Sequence, residues 1–457
     1  MSWIEPWEVI EAVALNDEPL GRVLGRAAPA LRAMLDRALE HRELTVDEGE
    51  ALLGAEGDDL VALVRCADAI RAEDVGDEVT YVVNRNINFT NVCFVNCQFC
   101  AFKRQRWEDD AYTHGVDVVL GKVEEAIARG ATEVCMQGGI NPEMGAFTYR
   151  DMLVAIKTRF PHIHVHAFSP MEIMYGARRT NMDYPAYIGM LRDHGLGSIP
   201  GTAAEILDDE VREILSHKKV DVRSWVEIIT TAHRLGVPTT STVMYGHVET
   251  AGHIARHIDL LRRIQKETGG FTEFVPLGFI WENTKLYHDG VVTPQPKGLR
   301  DLRIYAASRL MLRGLIDNLQ TSWVKLGHRL AQLTLRAGCN DFGGTLMEES
   351  ISREAGADAG EYTSAEEIEA LVRAMGRIPV ERTTLYGRRG KNGEAERGSA
   401  HAARGGSPAG VQPGASELRA RRAGNGPPGE SGAERAGDGA GGWRGRGQVP
   451  LGPHPTH

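Results

Sequence analysis

Over residues 19–74 the apolar positions recur with a helical period. Leu24, Leu31, Leu35 and Leu39 fall near 3.6-residue spacing, and Leu52, Leu53, Leu60, Leu63 and Val64 continue the stripe. Thr45 ahead of Val46-Asp47-Glu48 supplies a hydroxyl cap and an acidic first turn, which marks a helix start. Cys66, three residues after Leu63, reads as a small buried residue of the same stripe. The pattern predicts a helical segment over residues 1–78.

From Val79 onward the period changes. Short β-branched or apolar runs alternate with longer amphipathic ones, and turn residues separate them. Strands are predicted at 87–91, 133–136, 162–168, 197–199, 239–244, 272–275 and 318–321, with a short one near Asn340. Helices are predicted at 118–129, 149–159, 222–235, 253–267, 299–312 and 324–337. Eight alternations define an α/β chain closed as a (β/α)8 TIM-type barrel over residues 79–386. Such a barrel builds its ligand face from the loops after the strands. Those loops hold the unusual residues here: a cysteine loop, Gln137-Gly138-Gly139, Ser169-Pro170-Met171-Glu172, Pro200-Gly201-Thr202, the stretch 245–250, and Ser322-Trp323-Val324-Lys325.

After Tyr386 the periodicity vanishes. Residues 387–457 are mostly Gly, Arg, Ala, Pro and Ser, with Trp443 the only Phe, Tyr or Trp. Such a segment cannot offset an ordering cost of about 1–2 kcal/mol per residue, so a disordered tail is expected. One aromatic, no repeat and interspersed acids weigh against an RNA-binding tail.

Charge sharpens this division. The net charge is −10, yet from Arg388 to the end eleven Lys/Arg stand against six Asp/Glu, which leaves −15 on residues 1–387. An acidic body argues against nucleic acid as partner. No apolar run approaches the roughly 18 residues of a membrane span. The first residues carry Glu5 and Glu8 where a secretory leader carries bases, so a cytoplasmic location is expected, with thiols kept available as ligands.

Three of the six cysteines, Cys93, Cys97 and Cys100, are spaced C-x3-C-x2-C. Three thiolates without a nearby fourth Cys or His can hold a 4Fe-4S cubane and leave one iron open. A zinc knuckle with a distant fourth ligand is the alternative, and a disulfide fits less well. His162, His164 and His166 alternate along one predicted strand and do not converge as tetrahedral ligands do; they read as satisfied histidines, His166 nearest the ligand face. His247 and Glu249 are the candidate catalytic pair, able to orient a substrate or exchange a proton, or else simply to cap the next helix.

The cysteine spacing, with Phe99 before the last cysteine, resembles the radical S-adenosylmethionine (SAM) superfamily. That resemblance implies a 4Fe-4S cluster on Cys93, Cys97 and Cys100 whose open iron chelates the amino and carboxylate groups of SAM. It places Phe99 near the adenine, although an aromatic that merely covers the cluster reads the same way. Gly138-Gly139 resembles the Gly-Gly-Glu motif that holds the SAM amino group, with Ile140 replacing the acid, so the contact would rest on backbone and Gln137. Ser169, Glu172 and Thr202 complete the candidate cofactor-binding set.

Four longer words narrow the resemblance: residues 84–91 (NRNINFTN), 164–173 (HVHAFSPMEI), 199–207 (IPGTAAEIL) and 343–352 (GGTLMEESIS). Over residues 29–386 the chain is similar to the 5-amino-6-(D-ribitylamino)uracil–L-tyrosine 4-hydroxyphenyl transferases, the tyrosine-using subunits of FO synthase. Asn96 stands where that family usually has Gly. The resemblance implies cleavage of SAM to a 5'-deoxyadenosyl radical, hydrogen removal from tyrosine, Cα–Cβ scission and transfer of the hydroxybenzyl fragment to C5 of the diaminouracil. It also implies an electron donor and, because one cysteine triplet is present, a companion radical SAM subunit. The futalosine-pathway enzymes of menaquinone synthesis share the cysteine loop and the Gly-His-Val-Glu-Thr word. They tend to have Gly-Gly-Gly-Ala-Glu where this chain has Gly201-Thr202-Ala203-Ala204-Glu205. A noncatalytic iron-sulfur or zinc protein is the alternative of another class, separable by whether SAM is consumed.

Overall fold

A computed structural model describes residues 3–389 and 395–396. The chain divides into two units, Met1–Ala400 and His401–His457. The second unit lies outside the described residues, and so does most of the 387–457 stretch expected to be disordered.

Eight parallel strand positions close into a barrel. β1 (Glu78–Val82) and β2 (Asn84–Asn88) are one strand broken at Val83; β3 is Glu133–Gln137, β4 His164–Ala167, β5 Thr239–Tyr245, β6 Phe271–Gly278 and β7 Asp341–Gly344. β2 pairs with β3 and β3 with β4, all in parallel register. Single bridges through Ser198 and Ile199 carry the sheet from β4 to β5, which pairs with β6. Bridges at Leu319 and Gln320 lead to β7, and Thr80 opposite Asp341 shuts the ring. The (β/α)8 expectation therefore holds, with two of its strands reduced to bridges.

The first strand begins nine residues before the predicted 87–91, and residues 89–91 leave it. Its upper half is Asn-Arg-Asn-Ile-Asn, which hides the apolar run that a buried parallel strand normally shows. The polar side chains are not on the outside of the barrel: Asn84, Asn86 and Asn88 line its interior. A further strand, β8 (Ile378–Arg382), was not apparent from the pattern. It pairs in parallel with β1 and carries the buried Arg382 to Asp341 (2.5 Å) and Glu273 (3.2 Å).

Five helices precede the barrel, from Trp7–Ala14 to Gly57–Val75. Leu35, Leu52, Leu60, Leu63 and Cys66 on them are fully buried, each such leucine contributing about 1.5–3 kcal/mol of transfer free energy. Thr45 forms a full capping box with Glu48. A methyl group on Gly49 would stand 2.5 Å from Met311 Cε, so glycine lets this helix approach the barrel helix Leu299–Leu312. The predicted helix 324–337 is two helices, Trp323–Leu326 and His328–Thr334, split where Gly327 turns to a φ of +81°.

Candidate functional site

β2 ends at Asn88, and the cysteine loop that follows is held by backbone on both flanks. Cys93 N–H donates to Arg104 O (3.1 Å), Phe94 N–H to Ile140 O (3.1 Å), Gly139 N–H to Thr90 O (2.8 Å) and Gln98 N–H to Leu215 O (2.9 Å). Asn96 adopts a φ of +60°, a left-handed conformation that asparagine tolerates better than most side chains, which accounts for its standing in place of glycine. Phe89 packs edge-on against Tyr149 (5.9 Å between centroids) and Phe168 (6.3 Å), anchoring the base of the loop.

Cys93, Cys97 and Cys100 face one cavity of 260 Å³ at the C-terminal ends of the strands. The seven candidate cofactor residues Phe99, Gln137, Gly138, Gly139, Ser169, Glu172 and Thr202 line the same cavity. Their contacts differ from the sequence reading in two respects. A Cβ on Gly138 would meet the Phe89 ring at 2.5 Å and one on Gly139 the Val92 carbonyl oxygen at 2.2 Å, so packing of the cysteine loop itself demands both glycines. Ser169 and Glu172 are not in a loop: they form the capping box of the helix Pro170–Thr180. Glu172 accepts from Ser169 N–H (2.7 Å), Ser169 Oγ (2.6 Å) and Gly138 N–H (3.1 Å), while burial pushes its carboxyl up to about 7 against those donors. Gln137 Oε1 accepts from Thr202 Oγ1 at 3.2 Å.

His247 and Glu249 do not join this set. They line a separate cavity with Thr250 and Arg300. Glu249 accepts from the N–H groups of Gly246 (2.5 Å) and His247 (2.8 Å); His247 Nδ1 accepts from Val248 N–H (2.7 Å), and its Nε2 lies 2.9 Å from Met244 O. Those partners assign the Nε2–H tautomer. Burial lowers the imidazole's proton affinity, against the pull of Glu249. Both side chains are thus engaged within their own turn, as the capping alternative expects. Of the three alternating histidines, His162 is exposed ahead of β4, while His164 Nε2 (2.7 Å) and His166 Nδ1 (2.6 Å) share the Ser198 hydroxyl.

Several residues at the site carried no signal in the sequence reading. Ser216, at the end of the helix Asp209–Ser216, places its hydroxyl 3.1 Å from Cys97 Sγ. Lys219 lies 4.9 Å from the Phe99 ring centroid and 2.6 Å from Glu205 Oε1. Glu205 Oε2 is buried without a hydrogen bond, on a loop where Ala203 and Glu205 both take positive φ. Glu205 lies inside the word 199–207, but nothing in that word indicates an oxygen left without a hydrogen bond, 3.7 Å from Arg212; Ser216 and Lys219 reach the site from the segment after it.

Below the cysteine cavity the barrel interior forms a second, polar one. Asn84, Asn86, Asn88, Glu133, His166, Glu273, Gln320, Glu349 and Arg382 line it. Gln137, Thr202, Leu277, Lys325 and Ile351 line both cavities, so the two share a wall.

The residues present fit a cluster with SAM better than a mononuclear metal. Among the described residues, the one trio of His, Cys, Asp or Glu ligand atoms lying within 4.8 Å of one another is His41, Glu73 and Asp74. At least one pair of the cysteine sulfurs therefore stands more than 4.8 Å apart, wider than the edge of about 3.8 Å that tetrahedral zinc with 2.3 Å bonds requires. Glu205 Oε2, which makes no hydrogen bond and lies 3.7 Å from Arg212 Nη1, and the carboxyl of Glu172 are acceptors for an amine, and Phe99, Ile140, Met171 and Phe279 give the cavity an apolar wall.

Comparison with known proteins agrees with this geometry. Residues 87–261 match the model of the radical SAM superfamily, and residues 268–394 match that of the CofH/MqnC C-terminal region. The chain is 49% identical over 355 residues to the 5-amino-6-(D-ribitylamino)uracil–L-tyrosine 4-hydroxyphenyl transferase of Methanothermobacter thermautotrophicus, covering 78% of this chain and 96% of that one. Identity to the enzyme of the same name from Methanocaldococcus jannaschii is 47% over 349 residues, 76% of this chain and 97% of that one. FO synthase of Streptomyces avermitilis is 49% identical over 382 residues, 83% of this chain; the match spans 44% of that longer protein. Among solved structures, methylornithine synthase (PylB) aligns with a TM-score of 0.58 at 18% identity, covering 76% of this chain and 97% of that one. The FeFe-hydrogenase maturase HydG from Carboxydothermus hydrogenoformans aligns with a TM-score of 0.62 at 15% identity, covering 83% and 86%. Both share the fold.

Proposed function

The chain belongs to the radical SAM family of 5-amino-6-(D-ribitylamino)uracil–L-tyrosine 4-hydroxyphenyl transferases, and on that premise we propose that it joins the 4-hydroxybenzyl group of L-tyrosine to the diaminouracil, in coenzyme FO biosynthesis, at the mouth of its barrel. The observation that carries the location is the shared wall: the cysteine cavity adjoins a polar interior of about 260 Å³, roomy enough for a second, hydroxyl-rich substrate.

Cys93, Cys97 and Cys100 would hold the 4Fe-4S cluster, and Phe99, Gly138, Gly139, Glu172 and Glu205 would surround SAM. Bound there, the pair supplies one-electron cleavage of SAM. The chain's own residues do the rest. Ser216 donates to the Cys97 sulfur, and the pairing of Lys219 with Glu205 keeps a cation over the Phe99 face. The apolar wall keeps water from the reacting centre. The amide nitrogens of Asn84, Asn86 and Asn88 are engaged by Glu133, Glu349 and the Gln137 carbonyl, while the buried Asn88 Oδ1 has no partner within the protein and is open to a donor from a ribityl chain or a uracil edge. Thr202 supports this reading over a futalosine-type substrate, because its hydroxyl occupies the shared wall and orders Gln137, which a glycine at that position would not do.

The same reading assigns partners. The match to less than half of the longer FO synthase suggests that a second radical SAM chain supplies the remaining chemistry, and an electron donor reduces the cluster. Among the described residues no helix is long and apolar enough to cross a membrane, and all six cysteines are free, as suits a reducing compartment.

The test is a substrate comparison on the full chain, reconstituted anaerobically with iron and sulfide and given SAM and dithionite. Tyrosine with the diaminouracil should yield an adduct together with 5'-deoxyadenosine, while dehypoxanthine futalosine is inert. Consumption of the futalosine substrate with tyrosine untouched would overturn the reading.

A further inference from the structure

Four cations line the two cavities, and three of them are committed. Lys103 donates to Asn96 Oδ1, Lys219 pairs with Glu205, and Arg382 pairs with Asp341 and Glu273. Lys325 differs. Among the described residues its ammonium has no hydrogen bond and no ion pair, although it sits in the wall common to both cavities. Its backbone is fixed: Lys325 N–H donates to Ser322 O (3.0 Å), its carbonyl accepts from Lys297 Nζ (2.8 Å), and the neighbouring Trp323 donates from Nε1 to Gly344 O (2.9 Å). The nearby carboxylate of Glu349 is already engaged, capping the helix Ser350–Ala355 through Ser352 N–H (2.9 Å) and Oγ (2.8 Å) and accepting from Asn86. A half-buried ammonium that makes no hydrogen bond, and whose nearest carboxylate is already engaged by other donors, is costly to keep charged unless a ligand anion completes it.

We propose that Lys325 binds the α-carboxylate of the amino-acid substrate at the junction of the two cavities. This rests on the transferase reading above and adds the residue that positions its amino acid. The chemistry of the two substrates divides the site. The diaminouracil is a polar, uncharged polyol that calls for amides and hydroxyls, which the lower cavity supplies; the amino acid brings a carboxylate, which calls for a free cation. With its carboxylate on Lys325, the amino acid lies where one end faces the cysteine cavity and the other the polar interior. Lys325 acts as a positioning and specificity residue and needs no part in bond making or breaking.

The experiment compares wild type with Lys325→Met and Lys325→Arg in the reconstituted full chain. It measures KM for tyrosine, diaminouracil and SAM, and inhibition by two tyrosine fragments: tyramine, which lacks the carboxylate, and 3-(4-hydroxyphenyl)propionate, which lacks the amine. Lys325→Met should raise the tyrosine KM by about tenfold or more with a smaller change in kcat and little change in the other two KM values. The propionate should inhibit wild type better than tyramine does, an order that Lys325→Met should abolish and Lys325→Arg partly restore. If Lys325→Met is too slow for kinetics, saturation-transfer NMR on the SAM-loaded protein gives the same answer: tyrosine and propionate signals fall while tyramine's persists. An unchanged tyrosine KM, a retained inhibitor order, or a rise confined to the SAM KM would overturn the assignment. Those outcomes leave wild-type turnover of tyrosine intact, whereas failure of the transferase reading would show in wild type itself.

Discussion

Two loops leave the same face of the barrel with reactive side chains, and they use them in opposite ways. The 245–250 turn engages its reactive side chains within itself: both Glu249 oxygens accept from backbone, both His247 nitrogens are matched, and Thr250 caps the helix Ala251–Thr268 with His253. The 89–104 loop settles its backbone on its neighbours and leaves three thiols and Phe99 facing a cavity. A histidine and a glutamate in a loop look more catalytic than a phenylalanine and an asparagine. What separates the two is whether the local fold has already satisfied the group.

The comparison can be broken most decisively at the cysteines. Cys97→Ala should abolish the brown absorbance of the reconstituted protein and its SAM cleavage, whereas Cys66→Ala and Cys339→Ala, which alter buried thiols away from the cavity, should retain both. Burial pushes the Cys97 thiol up to about 12, so loading must expel its proton and should improve between about pH 7 and about pH 9. Iron-dependent SAM cleavage in Cys97→Ala would remove the basis of the comparison.

From the other loop, His247→Ala should lower stability by about 2 kcal/mol or more, since it orphans Val248 N–H and Met244 O, while kcat in the folded fraction changes only a few-fold. Denaturant unfolding beside steady-state kinetics separates the two effects; a collapse of kcat at unchanged stability would restore His247 as a catalyst. A finer effect is expected at Ser216→Ala. Loss of the hydrogen bond to Cys97 Sγ should move the cluster to a more negative potential in an EPR-monitored titration, and an unmoved potential would make that contact incidental. The smallest effect belongs to deletion of residues 401–457. It should leave melting temperature and turnover unchanged, given the composition of that stretch; the cut falls after the short pairing of Ala395–Glu396 with Arg388–Arg389 and so preserves it.

The chain's pattern revealed the barrel because most of its strands and helices carry apolar periodicity, and the bounds of the helix Leu299–Leu312 agree with it at both ends. It misplaced the first strand because the run Val79–Val83 is followed by Asn-Arg-Asn, whose asparagines face a polar interior, so the strand reads as broken before Ile87. β8 escaped because its side chains are only partly buried, apart from Arg382. In the site, the cysteines were legible from spacing and the glycines from their pairing, but the reason for the glycines, the Phe89 ring and the Val92 carbonyl, exists only in three dimensions. Glu205, Lys219, Ser216 and Lys325 come from separate segments, and their significance lies in which partners they have or lack. No local sequence pattern records that.

The most direct test follows the aromatic ring of tyrosine. Ring-13C-labelled tyrosine is supplied with diaminouracil and SAM to the anaerobically reconstituted chain, and products are resolved by liquid chromatography with mass detection. The account predicts a diaminouracil adduct carrying the whole labelled ring, formed with 5'-deoxyadenosine. Accumulation of 5'-deoxyadenosine with the ring still in intact tyrosine would contradict it.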